Sequence, residues 1–185
     1  MKKFYFISGL GSTKESLQDL EKVMNQFGYE VQFIDIPGQY SNRDVKIQRE
    51  QDLIEWLTDS IPVGSNVIAF SMGADIAIRY HSFLQARNLI ILDGGIIDYD
   101  LMNITLEEDI AMTKSYIKEN QLDMNAETIA KLTSLLREQY IDIFHAGLNT
   151  ETLLLLSDHP DFVYQYKMNK IEANHDSMNH IKIQF

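Results

Sequence analysis

Short apolar runs at 3–8, 29–34, 66–70 and 88–92 alternate with stretches of helical periodicity, and this alternation restricts the fold more than any other feature of the chain. Between the first two runs, Leu17, Leu20, Val23 and Met24 recur at helical spacing over 13–27, and Gly28 stands where a helix would stop. Ile47, Leu53, Ile54 and Leu57 mark a second helix over 44–60, closed by a Pro62/Gly64 turn. A third, 72–81, carries Ala74 and Ala77, small enough to lie close against a sheet. Strand-helix-strand order of this kind produces a parallel sheet with helices on its faces, joined by right-handed crossovers.

The pattern changes near Asn103. Thr105 and Glu108 form a capping box, and two long helical segments follow, 105–119 and 126–145. The second carries Ile129, Leu132, Leu135, Leu136 and Phe144 mostly on one stripe, so the insertion, about 99–148, is read as a helical lid over a site on the sheet. Strand character resumes at 152–157 and is expected again at 169–173. With 185 residues, 45% of them apolar, the chain is expected to form one domain, 1–185. The expected class is α/β, a three-layer sandwich around a mostly parallel sheet of about six strands.

Ala69-Phe70-Ser71-Met72-Gly73 falls where an apolar strand passes into a helix. A serine in such a sharp turn has a strained backbone and an exposed hydroxyl, and the residues two before and two after must be small. Ala69 and Gly73 satisfy that condition. The helix that follows aims backbone N–H groups, that of Met72 among them, toward negative charge on an attacked carbonyl. Ser71 is therefore the candidate nucleophile and Met72 a candidate oxyanion donor.

With this turn, a glycine loop Ser8-Gly9-Leu10-Gly11 after the first strand, and Asp35-Ile36-Pro37-Gly38 after the second, the chain resembles a compact α/β-hydrolase over nearly its whole length. The resemblance implies the Leu10 N–H as the second oxyanion donor. In the family the Asp-x-Pro-Gly turn often leads to His-Gly, where this chain has Gln39 and Tyr40. The resemblance also implies that the chain starts at the family's third strand, without the usual leading hairpin, and leaves little room for a last helix. A homodimer paired through an exposed sheet edge is one way to protect such a minimal fold.

A serine hydroxyl needs an adjacent base. Of the five histidines, His81, His145 and His159 are poorly placed by the pattern. His175 follows the last expected strand, in a loop able to reach the carboxyl ends of the sheet, and resembles the family's final histidine loop; His180 is the reserve. For the acid that orients the imidazole, Asp158 follows 152–157 in the common nucleophile-acid-base order, while Asp93 follows 88–92 and resembles the acid position of assembly-line thioesterase domains. The two stay open, with Asp161 behind them.

A formal net charge of −11 disfavours nucleic acid and anionic membranes as partners. The chain has no cysteine, no His-x-x-x-His pair, no calcium-loop spacing and no complete dinucleotide or phosphate-loop fingerprint, so no metal or cofactor is expected. The apolar run after Lys2 and Lys3 is too short for a signal peptide, no stretch has membrane-spanning length, and the absence of cysteine suits the cytoplasm. The expected activity is hydrolysis of an ester or thioester through an acyl-enzyme. The resemblance extends the substrates to thioesters of coenzyme A or a carrier protein, although the negative charge disfavours an acidic carrier. Rival readings are acyl transfer to another acceptor and a non-catalytic binding protein on the same scaffold.

Overall fold

The computed structural model describes residues 2–97, 103–157, 161–178 and 180–184. Among them are six strands: β1 (Lys2–Ile7), β2 (Tyr29–Ile34), β3 (Asn66–Phe70), β4 (Asn88–Leu92), β5 (Thr152–Leu155) and β6 (Ile181–Gln184). All neighbours pair in parallel, in the order β2-β1-β3-β4-β5-β6. The helices are α1 (Gln18–Gln26), α2 (Glu50–Ser60), α3 (Met72–Arg79), α4 (His81–Leu84), α5 (Leu106–Glu119), α6 (Ala126–Glu138) and α7 (Asp161–Ala173). The order reverses once, because β2 lies outside β1 and every later strand adds on the other side.

That reversal decides which face is covered. Right-handed crossovers put α1 on one face and the helices that follow β2 on the other. On the central strands Val67, Leu89, Ile91 and Leu154 are buried, whereas Ile90, Leu92, Leu153 and Leu155 on the opposite face are only half-buried. α3 can lie flat on the buried face because Ala74 and Ala77 keep its inner side thin; both are fully buried.

Several boundaries move for local reasons. A 3-10 turn over Lys14–Leu17, capped by Thr13, precedes α1. α2 starts at Glu50, where Asp52 accepts from the Arg49 backbone, and not at 44. Thr105 and Glu108 form the capping box expected of α5. α6 stops at Glu138, and buried Ile143 and Phe144 belong to the turn beyond it, tied down by the Ile143 N–H to the Gly95 carbonyl at 2.9 Å. Of the insertion expected at about 99–148, residues 99–102 lie outside the described residues.

One expected element is wrong. Residues 169–173 are not a strand but the last turns of α7, and the last strand lies further on, at Ile181–Gln184. Two adjacent parallel strands need a crossover connection between them, and α7 is that connection. β6 escaped detection because it has four residues, alternately half-buried and exposed, at the edge of the sheet.

Candidate active site

Ser71 joins β3 to α3 with φ 52 and ψ −122, a conformation that costs a non-glycine residue about 1–3 kcal/mol. The turn is held on both sides: the Ser71 N–H donates to the Leu92 carbonyl at 3.2 Å, and the Ser71 carbonyl accepts from Ala74 N–H at 2.8 Å. Its neighbours are as small as the turn requires. A Cβ on Gly73 would lie 2.5 Å from the Ser8 carbonyl oxygen and 2.6 Å from that of Ile7, and one on Gly9 would lie 3.0 Å from the Ser71 Cβ. The glycine loop after β1 is thereby pressed against the serine.

Two cavities meet at this turn, and Ser71 and Asp75 line both. The smaller, about 240 Å³, is closed by Leu10 and Met72 on one side and by Ile104, Asp109 and Arg137 from the α5–α6 region on the other. The larger, about 820 Å³, runs between Gly94–Ile97 and α7 and is lined by Phe162, Val163 and Tyr166. Met72 opens α3, so its N–H is a first-turn donor that the helix itself cannot satisfy. Leu10 and Met72, the expected oxyanion donors, thus stand at one cavity with Ser71.

His175 is not there. β3, β4, β5 and β6 are level at Phe70, Leu92, Leu155 and Gln184, so Ser71 lies at the carboxyl rim of the sheet. His175 precedes β6, in a 3-10 turn at the amino rim, where the next residues pair with the start of β5 through Thr152 N–H to the His180 carbonyl at 2.8 Å. With a rise of roughly 3.3 Å per residue and about 4.8 Å between strands, the two side chains are separated by on the order of 20 Å. The ring is 86% exposed, and its nearest carboxylate, on Asp176, is 3.8 Å away. The assignment of His175 as the base is therefore corrected: a helix, not a strand, precedes it, and that inverts its rim. His180 shares this rim.

Neither His81 nor His145 lines a cavity with Ser71. His81 follows the far end of α3, its Nδ1 3.0 Å from the Ile78 carbonyl oxygen, and the exposed His145 bonds Asp142 at 2.6 Å. Asp158 and His159 lie outside the described residues. Among the described residues no histidine lines either cavity.

Asp93 does stand at the rim, with φ 48, its N–H bonded to the Leu155 carbonyl at 2.8 Å. Its carboxylate is engaged by Lys167 of α7, which is 6% exposed, and by the Ser157 hydroxyl at 2.8 Å. Burial alone would raise its pKa, but the Lys167 and Ser157 hydrogen bonds outweigh it and hold the group below the ordinary aspartate value. The Asp93 carboxylate is thus already paired with a buried cation.

Sequence reasoning missed Lys167 and Asp75. Nothing in the pattern singled out Lys167, since the helix that buries it was partly read as a strand. Asp75 was findable: it is one helical turn after Ser71, so both residues share a face. Burial pushes its carboxyl up to about 7, with the Gly95 N–H and Lys167 pulling the other way. Among the described residues the charged groups lining the two cavities with it are Lys167 and Asp93 in the larger and Arg137 and Asp109 in the smaller.

A raised acid pKa penalises the folded state as pH rises. Between about pH 4 and pH 7 the folded protein retains a proton that the unfolded chain has released, so stability falls across that window and levels off above it. The limit is about 4 kcal/mol at 1.36 kcal/mol per pH unit. Glu50 and Asp93, whose pKa values are lowered, act in the opposite sense and only toward acid. Asp75→Asn is expected to raise Tm at pH 8 and to flatten its decline between pH 5 and pH 8; thermal melts with an undiminished decline would contradict this.

No protein-family model matches the chain, and no curated protein matches it in sequence. Solved structures do. The Rv0554 protein of Mycobacterium tuberculosis superposes with a TM-score of 0.59 at 13% identity, covering 99% of this chain and 80% of its own. The NocB thioesterase domain, solved as a covalent complex with a fluorophosphonate nocardicin G analog, gives 0.57 at 11% identity, covering 100% and 83%. A thioesterase domain from the curacin biosynthetic pathway gives 0.52 at 13%, covering 98% and 83%. The chain has the α/β-hydrolase fold, which these solved structures share.

Proposed function

We propose that the protein is a serine hydrolase that cleaves an ester or thioester through an acyl-enzyme on Ser71. The observation that carries this reading is the serine at φ 52 and ψ −122 between β3 and α3, a strained turn that presents an exposed side chain. The Ser71 oxygen attacks the carbonyl carbon, and the alcohol or thiol departs with a proton. The negative charge on the carbonyl oxygen is met by the Leu10 and Met72 N–H groups. Water then attacks the acyl-enzyme and releases the acid.

Asp93 is engaged by Lys167, which favours Asp158 of the two candidate acids. The 820 Å³ cavity, lined largely by Phe162, Val163, Tyr166 and Ile96, suits an apolar acyl group. Thioesterase domains among the structures of this fold support including acyl-thioesters in a substrate panel of graded chain length. Among the described residues no helix is long and apolar enough to cross a membrane.

A second reading, a ligand-binding protein without turnover, is favoured by the Lys167–Asp93 pair and by cavities that no described histidine lines. A fluorophosphonate probe with peptide mapping separates the two. Labelling confined to the Ser71 peptide, and lost in Ser71→Ala, is expected of the hydrolase. Folded wild-type protein that stays unlabelled would leave the binding reading standing.

A further inference from the structure

We propose that Gln39 is the positioning residue for the oxyanion loop: its one side-chain amide grips Ser8–Ser12 and holds the Leu10 N–H over Ser71. The inference rests on the acyl-enzyme reading, in which that N–H meets the developing charge.

Gln39 is fully buried, 0% exposed, in the turn that follows β2. Its Oε1 accepts from the Gly11 N–H at 2.8 Å. Its Nε2 faces the Gly9 carbonyl at 3.1 Å, the Ser12 carbonyl at 3.2 Å and the Ser8 hydroxyl at 3.1 Å. The orientation of the amide is unambiguous, since a flipped group would set its oxygen against two carbonyls. Besides this amide, the loop is held by Ser8 N–H to the Ile34 carbonyl at 3.0 Å and Ser12 N–H to the Gly9 carbonyl at 3.2 Å. It is short and glycine-rich, Gly11 has φ 79, and its inner side is pressed on the serine through Gly9. Gln39 therefore bonds backbone groups on both sides of Leu10.

The turn bearing Gln39 is anchored in its own right. Its Gly38 carbonyl accepts from Asn125 N–H at 2.7 Å, and the Tyr40 N–H donates to the Asp123 carbonyl at 3.0 Å, both in the α5–α6 connection. Tyr40 adds a second grip through its hydroxyl on the Gly11 carbonyl at 3.3 Å. Gln39 and Tyr40, the pair that replaces His-Gly after the Asp-x-Pro-Gly turn, thus both hold the loop. A donor displaced by about 1 Å costs roughly a hundredfold, and an oxyanion donor lost costs about 10²–10³ in kcat.

The test uses hydrolysis of a short p-nitrophenyl ester by wild type, Gln39→Met and Gln39→Glu, with folding checked by thermal melts. Gln39→Met keeps length and bulk but loses every polar contact; kcat is expected to fall about 10²-fold with KM changed less than about threefold. Gln39→Glu keeps the acceptor for Gly11 but turns the donor into a carboxylate oxygen facing two carbonyls. Its kcat is expected to be low at pH 8 and to recover relative to wild type toward pH 5, as the carboxyl gains a proton it can donate; a merely structural residue would show no such recovery. A kcat near that of wild type in folded Gln39→Met, or in folded Gln39→Glu at pH 8, overturns the proposal. So does failure of both variants to fold, which would make the amide a need of the fold alone. If the wild type does not turn over the ester and resists fluorophosphonate, it is the acyl-enzyme reading that fails.

Discussion

Ser71→Ala is expected to lower kcat for ester hydrolysis about 10⁴-fold or more, with little change in Tm. No group can take over covalent catalysis at that turn, because the backbone conformation serves a single side chain. Removing the hydroxyl leaves the packing intact, since Ser71 is exposed and its turn is held through backbone atoms. The same assay reads the acid and the corrected base. Asp158→Asn should approach the loss at Ser71, while His175→Ala, on the opposite rim, should retain wild-type turnover. Substantial ester turnover in Ser71→Ala would remove the proposed mechanism, and a large loss in His175→Ala would contradict the topology of β6.

Gly73→Ala should be the most damaging one-carbon change in the chain. The added Cβ would lie 2.5 Å from the carbonyl oxygen of Ser8, just past β1, and 2.6 Å from that of Ile7, the last residue of β1, which pairs with the centre of the sheet. Relief requires α3 to lift from the sheet, giving up the contacts of Ala74 and Ala77. The cost is about 3 kcal/mol or more, a fall in Tm of roughly 6–12 °C for a chain of this size. Ser71 would be carried outward with the helix, so fluorophosphonate labelling should fall as well. A Tm within about 2 °C of wild type would show the junction to be looser than its geometry.

The readable part of the fold was the part with strong local signals. β2, β3 and β4 stand at 29–34, 66–70 and 88–92 as expected, since continuous apolar runs bounded by turn residues leave few alternatives. The Ser71 turn was legible because steric closeness forces small residues onto both sides of the serine, and that leaves a trace in composition. Met72 followed from its place at the start of the helix after Ser71, and Leu10 from the resemblance of the glycine loop to the family's. The second half of the site left no such trace. Phe162, Val163, Tyr164 and Tyr166 are β-prone residues, yet the segment is a helix, because joining parallel β5 to β6 demands one.

By itself, the sequence determined the alternating order of elements, the place of the strained serine and the glycine loop beside it. These depend on residues close together in the chain, where periodicity and steric limits act directly. Only the tertiary structure decided which rim each distant side chain occupies: His175 away from Ser71, Lys167 against Asp93, Gln39 around the loop of Leu10. In a parallel sheet a residue before a strand and one after it lie at opposite ends, so one misread element reverses a side chain's place while leaving its neighbours in sequence unchanged.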